Sequence, residues 1–161
     1  MKRAVIYYSL EGNTQAAAMT VANVLHADIF RIEPFKPIAQ TGWRRMFIGG
    51  MQSSLGICPK LKDLTFRPSD YEQIILGTPV WAGKCAAPVG SFIKNYETEE
   101  FRQRVTAVFT CSAGGDNDGC IKQLKKRLPY LQTVAALADK NNPACADNEA
   151  KLQEFILRLQ A

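Results

Sequence analysis

Histidine is scarce in this chain of 161 residues, where His26 stands alone. Cysteine is thinly spread as well. Cys58, Cys85, Cys111, Cys120 and Cys145 are odd in number and form no C-x-x-C pair, which argues against a disulfide framework and, with only His26 to help, against a zinc site. Reduced thiols in a cytosolic protein are the simpler reading. Nor does any uninterrupted apolar run approach the ~18 residues that cross a bilayer. Met1-Lys2-Arg3 followed by Ala4-Val5-Ile6-Tyr7-Tyr8 resembles the start of a signal peptide, with small residues at Ala16-Ala17-Ala18, but Glu11, Gly12 and Asn13 break the apolar stretch early. The expectation is a soluble, cytoplasmic protein without membrane insertion.

Two sharp phosphate motifs are missing. Gly77 and Gly83-Lys84 look like a P-loop, yet the glycines are one residue too far apart and Cys85 replaces the magnesium-binding Ser or Thr. The spaced glycines of a dinucleotide fingerprint do not follow the first apolar run. ATPase and dinucleotide-binding readings lose most of their support. Internal repeats and low-complexity segments are absent too, and with 22% charged residues little disorder is expected beyond the termini and one long loop.

With 47% apolar residues over its length, the chain has material for one substantial core, so residues 1–161 read as a single domain. The net charge is +5, with basic residues in small clusters at Arg44-Arg45, Lys60/Lys62 and Lys122/Lys125/Lys126/Arg127. A nucleic-acid binder more often carries a basic stripe interleaved with aromatics. No nucleic-acid partner is expected, and the last cluster reads as the solvated face and C-terminal end of a helix.

Continuous apolar runs mark parallel strands covered on both faces. Strands are expected at 3–8, 28–33, 73–77, 104–110 and 133–138, the third ended by Gly77 and Pro79. Between them, helical spacing or a first-turn proline predicts helices at 14–25, 88–96, 118–128 and 147–159. Pro34 and Pro37 open an irregular stretch in which 42–51 admits a helix and 53–63 reads as loop. Alternating strands and helices call for a parallel sheet with right-handed crossovers. The expected fold is α/β, a doubly wound three-layer sandwich with five parallel strands in the order 2-1-3-4-5.

Three turns then fall at the carboxyl edge of that sheet, where ligands bind in such folds. In Ser9-Leu10-Glu11-Gly12-Asn13-Thr14, side-chain donors and a close-approach glycine precede a helix whose N–H groups suit a phosphate. Asn13 or Ser9 can serve that helix end. In Thr78-Pro79-Val80-Trp81-Ala82-Gly83, an indole stands in a glycine-flanked turn, suited to a stacked planar ligand or to capping a core. In Thr110-Cys111-Ser112-Ala113-Gly114-Gly115-Asp116, exposed backbone N–H groups suit the polar edge of a heterocycle. Asp116 and Asp118 do not continue a calcium loop and are expected to cap a helix. A redox role for Cys85 or Cys111 lacks a resolving partner at close spacing.

Together these turns resemble those of the flavodoxin family. Ser9 to Thr14 is similar to its phosphate loop: a hydroxyl residue, two variable positions, glycine, a variable position and threonine. Gly77 to Gly83 is similar to its flavin-ring loop, and the Gly-rich third turn falls where the family closes over the ring. The resemblance covers nearly the whole chain and implies FMN. It implies Ser9, Leu10, Gly12, Asn13 and Thr14 around the phosphate, and Thr78, Pro79, Val80, Trp81, Ala82 and Gly83 along the isoalloxazine. Cys111, Ser112, Gly114, Gly115 and Asp116 would complete the ring site. A backbone carbonyl near Ala82 or Gly83 would accept a hydrogen bond from the reduced ring's N5, and the uninterrupted last strand implies the short-chain form.

Two departures stand out. Glu11 occupies a position where the family often has Thr; its carboxylate would repel a phosphate and is expected to turn to solvent. The family is typically acidic, whereas this chain is basic, which predicts a higher flavin potential and attraction to acidic proteins or anions such as NAD(P)H. Three readings follow: an electron carrier between a reductase and an acceptor, an FMN-dependent NAD(P)H oxidoreductase acting on quinones or other small acceptors, and a module that has lost its cofactor. The aromatic and basic stretch 35–62 is expected to cover the sheet or to shelter the flavin or a second substrate.

Overall fold

The computed structural model describes residues 1–36 and 58–161. The expected helix at 42–51, part of the expected loop at 53–63 and most of the stretch 35–62 lie outside the described residues.

The chain opens with β1 (Arg3–Tyr7), in which Ala4, Val5 and Ile6 are wholly buried. Parallel neighbours flank it on both sides: Val5 sits beside Ile29 of β2 (Asp28–Arg31) and Ile75 of β3 (Gln73–Trp81). Between β1 and β2 runs α1 (Asn13–Leu25), burying Ala17, Ala18, Val21, Ala22 and Leu25 along one face. After β3 come a two-residue strand, β4 (Lys84–Cys85), and the helices α2 (Ala87–Asn95) and α3 (Glu99–Arg104). Then follow β5 (Val105–Ser112), α4 (Asp118–Arg127), β6 (Thr133–Ala138) and α5 (Asn148–Gln160). The parallel strands lie in the order β2-β1-β3-β5-β6, and β4 adds to β3 antiparallel.

Because side chains alternate across a strand, each central strand feeds two cores. Ile6, Ile74, Leu76 and Val108 pack with Phe92 of α2, Phe101 of α3 and Leu124 of α4. Val5, Ile75, Ala107 and Phe109 pack with α1 and with Phe155 and Ile156 of α5. The result is the expected three-layer α/β sandwich with helices on both faces.

Four details depart from expectation. The third strand continues through Gly77 and Pro79 to Trp81, pairing Thr78 with Thr110 and Pro79 with Cys111. Gly77 is required by contact, since a Cβ there would lie 2.3 Å from the Phe109 ring. Pro79 is tolerated because residues alternate in which neighbour they bond. The Gly77 carbonyl faces β1, accepting from Tyr8, so the Pro79 nitrogen points to the side where β1 has already ended. Second, the five expected parallel strands, in the expected order, are joined by a short antiparallel one, because the chain turns back at Ala82-Gly83 to form β4. Third, the strand expected to stop at Thr110 runs to Ser112, so Cys111 and Ser112 are strand residues. Fourth, α3 was not anticipated, although Thr98 caps it by accepting from the Phe101 N–H at 3.2 Å. No helix among the described residues is long and apolar enough to cross a membrane.

Candidate functional site

At the carboxyl edge of the sheet, the turns after β1, β3 and β5 converge on a cleft of about 450 Å³. This lies within the ~300–1,000 Å³ usual for ligand clefts. Of the residues singled out in the sequence, Ser9, Leu10, Asn13 and Thr14 line it from the first turn, Pro79, Val80, Trp81, Ala82 and Gly83 from the second, and Cys111, Ser112, Gly114 and Asp116 from the third. Gly12, Thr78 and Gly115 do not line it; they shape the turns. A broader groove of about 1130 Å³ lies between α1 and α5, but its walls are mostly helix faces.

In the first turn the buried Ser9 hydroxyl accepts from the Gly12 N–H at 3.1 Å. Gly12 takes a left-handed φ of 95°, which glycine adopts without steric penalty. α1 therefore starts with no side-chain cap and no acidic residue in its first turn. Its leading N–H groups and positive dipole end open toward the cleft, an anion-binding arrangement. Neither Ser9 nor Asn13 caps this helix. Asn13 instead donates its amide to the Asp139 carboxylate. The Glu11 side chain, expected to turn to solvent, is exposed. Arg31, at the end of β2, braces the turn from behind, donating to the Ser9 carbonyl at 3.3 Å and to Gln15 Oε1 at 3.4 Å.

The second turn is a hairpin. Val80 pairs with Cys85 and Trp81 with Lys84, leaving Ala82 and Gly83 as a two-residue loop with φ of 49° and 72°. Two consecutive positive φ values are the mark of a type I′ turn. Thr78 is wholly buried beneath it; its hydroxyl accepts from the Ala86 N–H at 3.1 Å and donates to the Pro79 carbonyl at 2.8 Å. The Trp81 indole is partly buried and meets the edge of Tyr8, with centroids 5.6 Å apart at 88°. Burial pushes the Tyr8 hydroxyl up to about 12, against the opposing pull of Arg31.

In the third turn, Ala113, Gly114, Gly115 and Asp116 are exposed, and Gly115 has a φ of 79°. Asn117 is buried under it and donates to the carbonyls of Gly115 (3.1 Å) and Leu137 (3.4 Å). Asp116, expected to cap a helix, accepts from the Asp118 N–H at 3.1 Å, while Asn117 holds the N-cap position of α4. Cys111 is buried, and desolvation raises its thiol to about 11, opposed by a hydrogen bond with Thr14 and reinforced by the Asp139 charge.

Sequence reasoning missed a fourth wall, the loop after β6. Asp139 lines the cleft, donates its N–H to the Ser112 carbonyl at 2.9 Å and receives the Asn13 amide. Asn142 donates to the Ala113 carbonyl at 2.9 Å. The loop thus ties the first turn to the third. Its only advance signal was position, just past the carboxyl end of a strand. Ala113, part of the third turn but not among the residues expected at the ring, lines the cleft beside Gly114.

Three carboxylates, Glu11, Asp116 and Asp139, line this cleft. The net charge of +5 therefore does not describe the local field. No cluster of three or more His, Cys, Asp or Glu side chains able to hold a metal occurs among the described residues.

Comparison with known proteins agrees with this architecture. No curated protein matches the chain. An FMN-complexed flavoprotein from Lactobacillus acidophilus superposes with a TM-score of 0.70 at 16% identity, covering 96% of this chain and 97% of that one. A flavodoxin from the domain Archaea gives 0.54 at 14% identity over 98% and 92%. An FMN-dependent NADH-azoreductase from Bacillus anthracis gives 0.55 at 11% identity, with both chains fully covered. At such identities these likenesses establish the fold alone. The family model described as Flavodoxin matches residues 2–141, nearly the whole chain, and the chain therefore belongs to the flavodoxin family.

Proposed function

We propose that this flavodoxin-family chain binds FMN in the cleft and works as an electron carrier, accepting electrons from a reductase and passing them to an acceptor. One observation carries the reading: the uncapped start of α1 and the Trp81 indole open into the same cleft of about 450 Å³. An anion site at one end and a flat aromatic wall at the other match the two ends of FMN. The donor set fits as well, since the backbone N–H groups of such turns and of a helix start suit both a phosphate and the polar edge of a heterocycle.

When bound, FMN supplies the electron-accepting ring chemistry. The first N–H groups of α1, with the Asn13 and Thr14 side chains, hold the phosphate, and Ser9 keeps the turn at Gly12 in shape. Trp81, braced by the edge of Tyr8, would stack against the ring. Pro79, Val80, Cys111, Ser112 and Gly114 border the ring, with Thr78, Gly115 and Asp116 fixing the turns behind them. A carbonyl of the Ala82-Gly83 turn would be placed to accept a hydrogen bond from the ring. Backbone N–H groups, hydroxyls and carboxylates can hold and tune a cofactor, and electron transfer asks no more of a protein than a held, accessible ring.

Titrating the purified chain with FMN tests this. A yellow complex with quenched flavin fluorescence at one flavin per chain is expected; a colourless chain that leaves the fluorescence unchanged overturns it. Stoichiometric reduction of the complex by NADPH with turnover of a quinone would instead establish an oxidoreductase.

A further inference from the structure

Lys122, Lys125 and Lys126 project from one exposed face of α4, at i, i+3 and i+4 spacing. None has an ion-pair partner among the described residues. The neighbouring Arg127 is engaged, lying 3.7 Å from Glu97 and donating to the Gly90 carbonyl at 3.4 Å. Elsewhere on the surface, Lys62 pairs with Glu33 and Arg158 with Glu154, while the exposed Lys94, Lys140 and Lys151 stand apart on separate elements and form no such cluster. The helix dipole accounts for cations in the last turn, where Lys125 and Lys126 stand. It does not account for Lys122, a turn earlier, which adds repulsion to both.

The position of this face matters more than its charge alone. α4 begins directly after the third turn of the cleft, and its Gly119 lies against the carbonyl of Gly83 at the tip of the second. At 1.5 Å per residue, the lysines stand ~6–12 Å along the axis from the helix start. Asp118 shares their shallow hollow, and Asp116 and Glu11 lie at the cleft itself. The surface is therefore polarised, with carboxylates around the cleft and unmatched lysines beside it.

We propose that the lysine face of α4 is the docking surface for an acidic protein that exchanges electrons with the flavin. The inference rests on the carrier reading and names the partner's chemistry. Three lysines on one helix are too few for the several phosphate contacts of a nucleic-acid site. They suit the small, charge-steered footprint of a redox encounter, which buries less than ~1,200 Å² in total. A negative partner landing on α4 covers the adjoining turns and brings its own redox centre toward the Trp81 side of the cleft.

An acidic plant-type [2Fe–2S] ferredoxin serves as the probe. In the measured step one electron leaves the reduced cluster and enters the flavin; the cluster is oxidised, the flavin reduced, and no bond forms or breaks between the proteins. Flavin loading is measured first by fluorescence quenching, and it should be equal in wild type, K122E/K125E/K126E and K122R/K125R/K126R. In stopped flow, the wild-type rate should fall about tenfold between about 20 mM and about 300 mM salt. The glutamate variant should be about tenfold slower at low salt and lose that dependence, while the arginine variant keeps both. Retention on immobilised oxidised ferredoxin reads docking without flavin, and it should be lost in the glutamate variant alone. Equal rates or equal retention for wild type and the glutamate variant overturn the docking surface. So does a patch needed only for retention on anionic vesicles or poly(U). A chain that takes up no flavin but keeps lysine-dependent retention overturns the carrier reading instead.

Discussion

A Cβ placed on Gly119 would come within 2.8 Å of the Gly83 carbonyl oxygen, so the first turn of α4 and the tip of the β3–β4 hairpin can meet only through a glycine. The obstructing atom is backbone and cannot rotate away. Gly119→Ala is predicted to push the hairpin tip, and with it the turn carrying Trp81, out of place. A small-to-large change in a tight contact costs ~1–3 kcal/mol, so FMN affinity, read by fluorescence titration, should fall about tenfold or more. Gly90→Ala is the control. Nothing lies within 4 Å of a Cβ there, and in a helix interior the change should stabilise by about 0.5–1 kcal/mol with no loss of affinity.

Ala82 holds a φ of 49° beside Gly83. A left-handed conformation costs an ordinary L-residue ~1–2 kcal/mol, and asparagine tolerates it better. Ala82→Asn is predicted to raise the stability of the flavin-free chain by about 1 kcal/mol, seen as a higher urea midpoint at unchanged slope. An unchanged midpoint would show that the turn stores no strain.

Asp139 sets a carboxylate at the mouth of the first turn while accepting from the Asn13 amide. Asparagine at 139 keeps an acceptor there but removes the charge. A unit charge at ~10 Å and an effective dielectric of ~20 is worth about 1–2 kcal/mol before screening. Asp139→Asn is therefore predicted to bind FMN about three- to tenfold more tightly at low salt, and to make the flavin easier to reduce. The gain should shrink as salt rises. Weaker binding would mean that the carboxylate matters chiefly as a strap between turns.

Burial raises the thiols of Cys85 and Cys111 from 9.0 to about 11, and the Tyr8 hydroxyl from 10.0 to about 12. These groups ionise more readily in the unfolded chain. Their contribution to stability is whole below about pH 9 and is lost as pH rises through the folded values. The urea midpoint should hold at pH 8 and fall steadily between pH 9 and pH 12. At pH 8 a thiol reagent should modify the exposed Cys58 quickly, and the buried Cys85, Cys111 and Cys120 only after unfolding.

Much of this architecture was legible from the chain because local patterns and tertiary demands agreed. Ala4-Val5-Ile6 reads as a strand buried on both faces and forms one, and the strand expected at 133–138 matches β6 residue for residue. The three turns of the cleft were readable because each joins a strand to a helix or hairpin and carries polar, glycine or aromatic residues. α3 left a signal that went unused, Thr98 followed by Glu99 and Glu100 at a helix start. β4 left almost none, since Ala-Gly is not the usual pair for a type I′ turn and two residues show no periodicity.

The order of apolar and polar residues along the chain thus set the elements, their alternation and the turns that would lie at one edge, because helix and strand periods are local properties. Only folding decided which distant groups would touch. Pro79 stays in a strand because β1 ends beside it, Asp139 joins the cleft because β6 lies next to β5, and Gly119 must remain small because a hairpin returns to meet it. Each of these depends on contacts between residues far apart in sequence, and no local pattern encodes them.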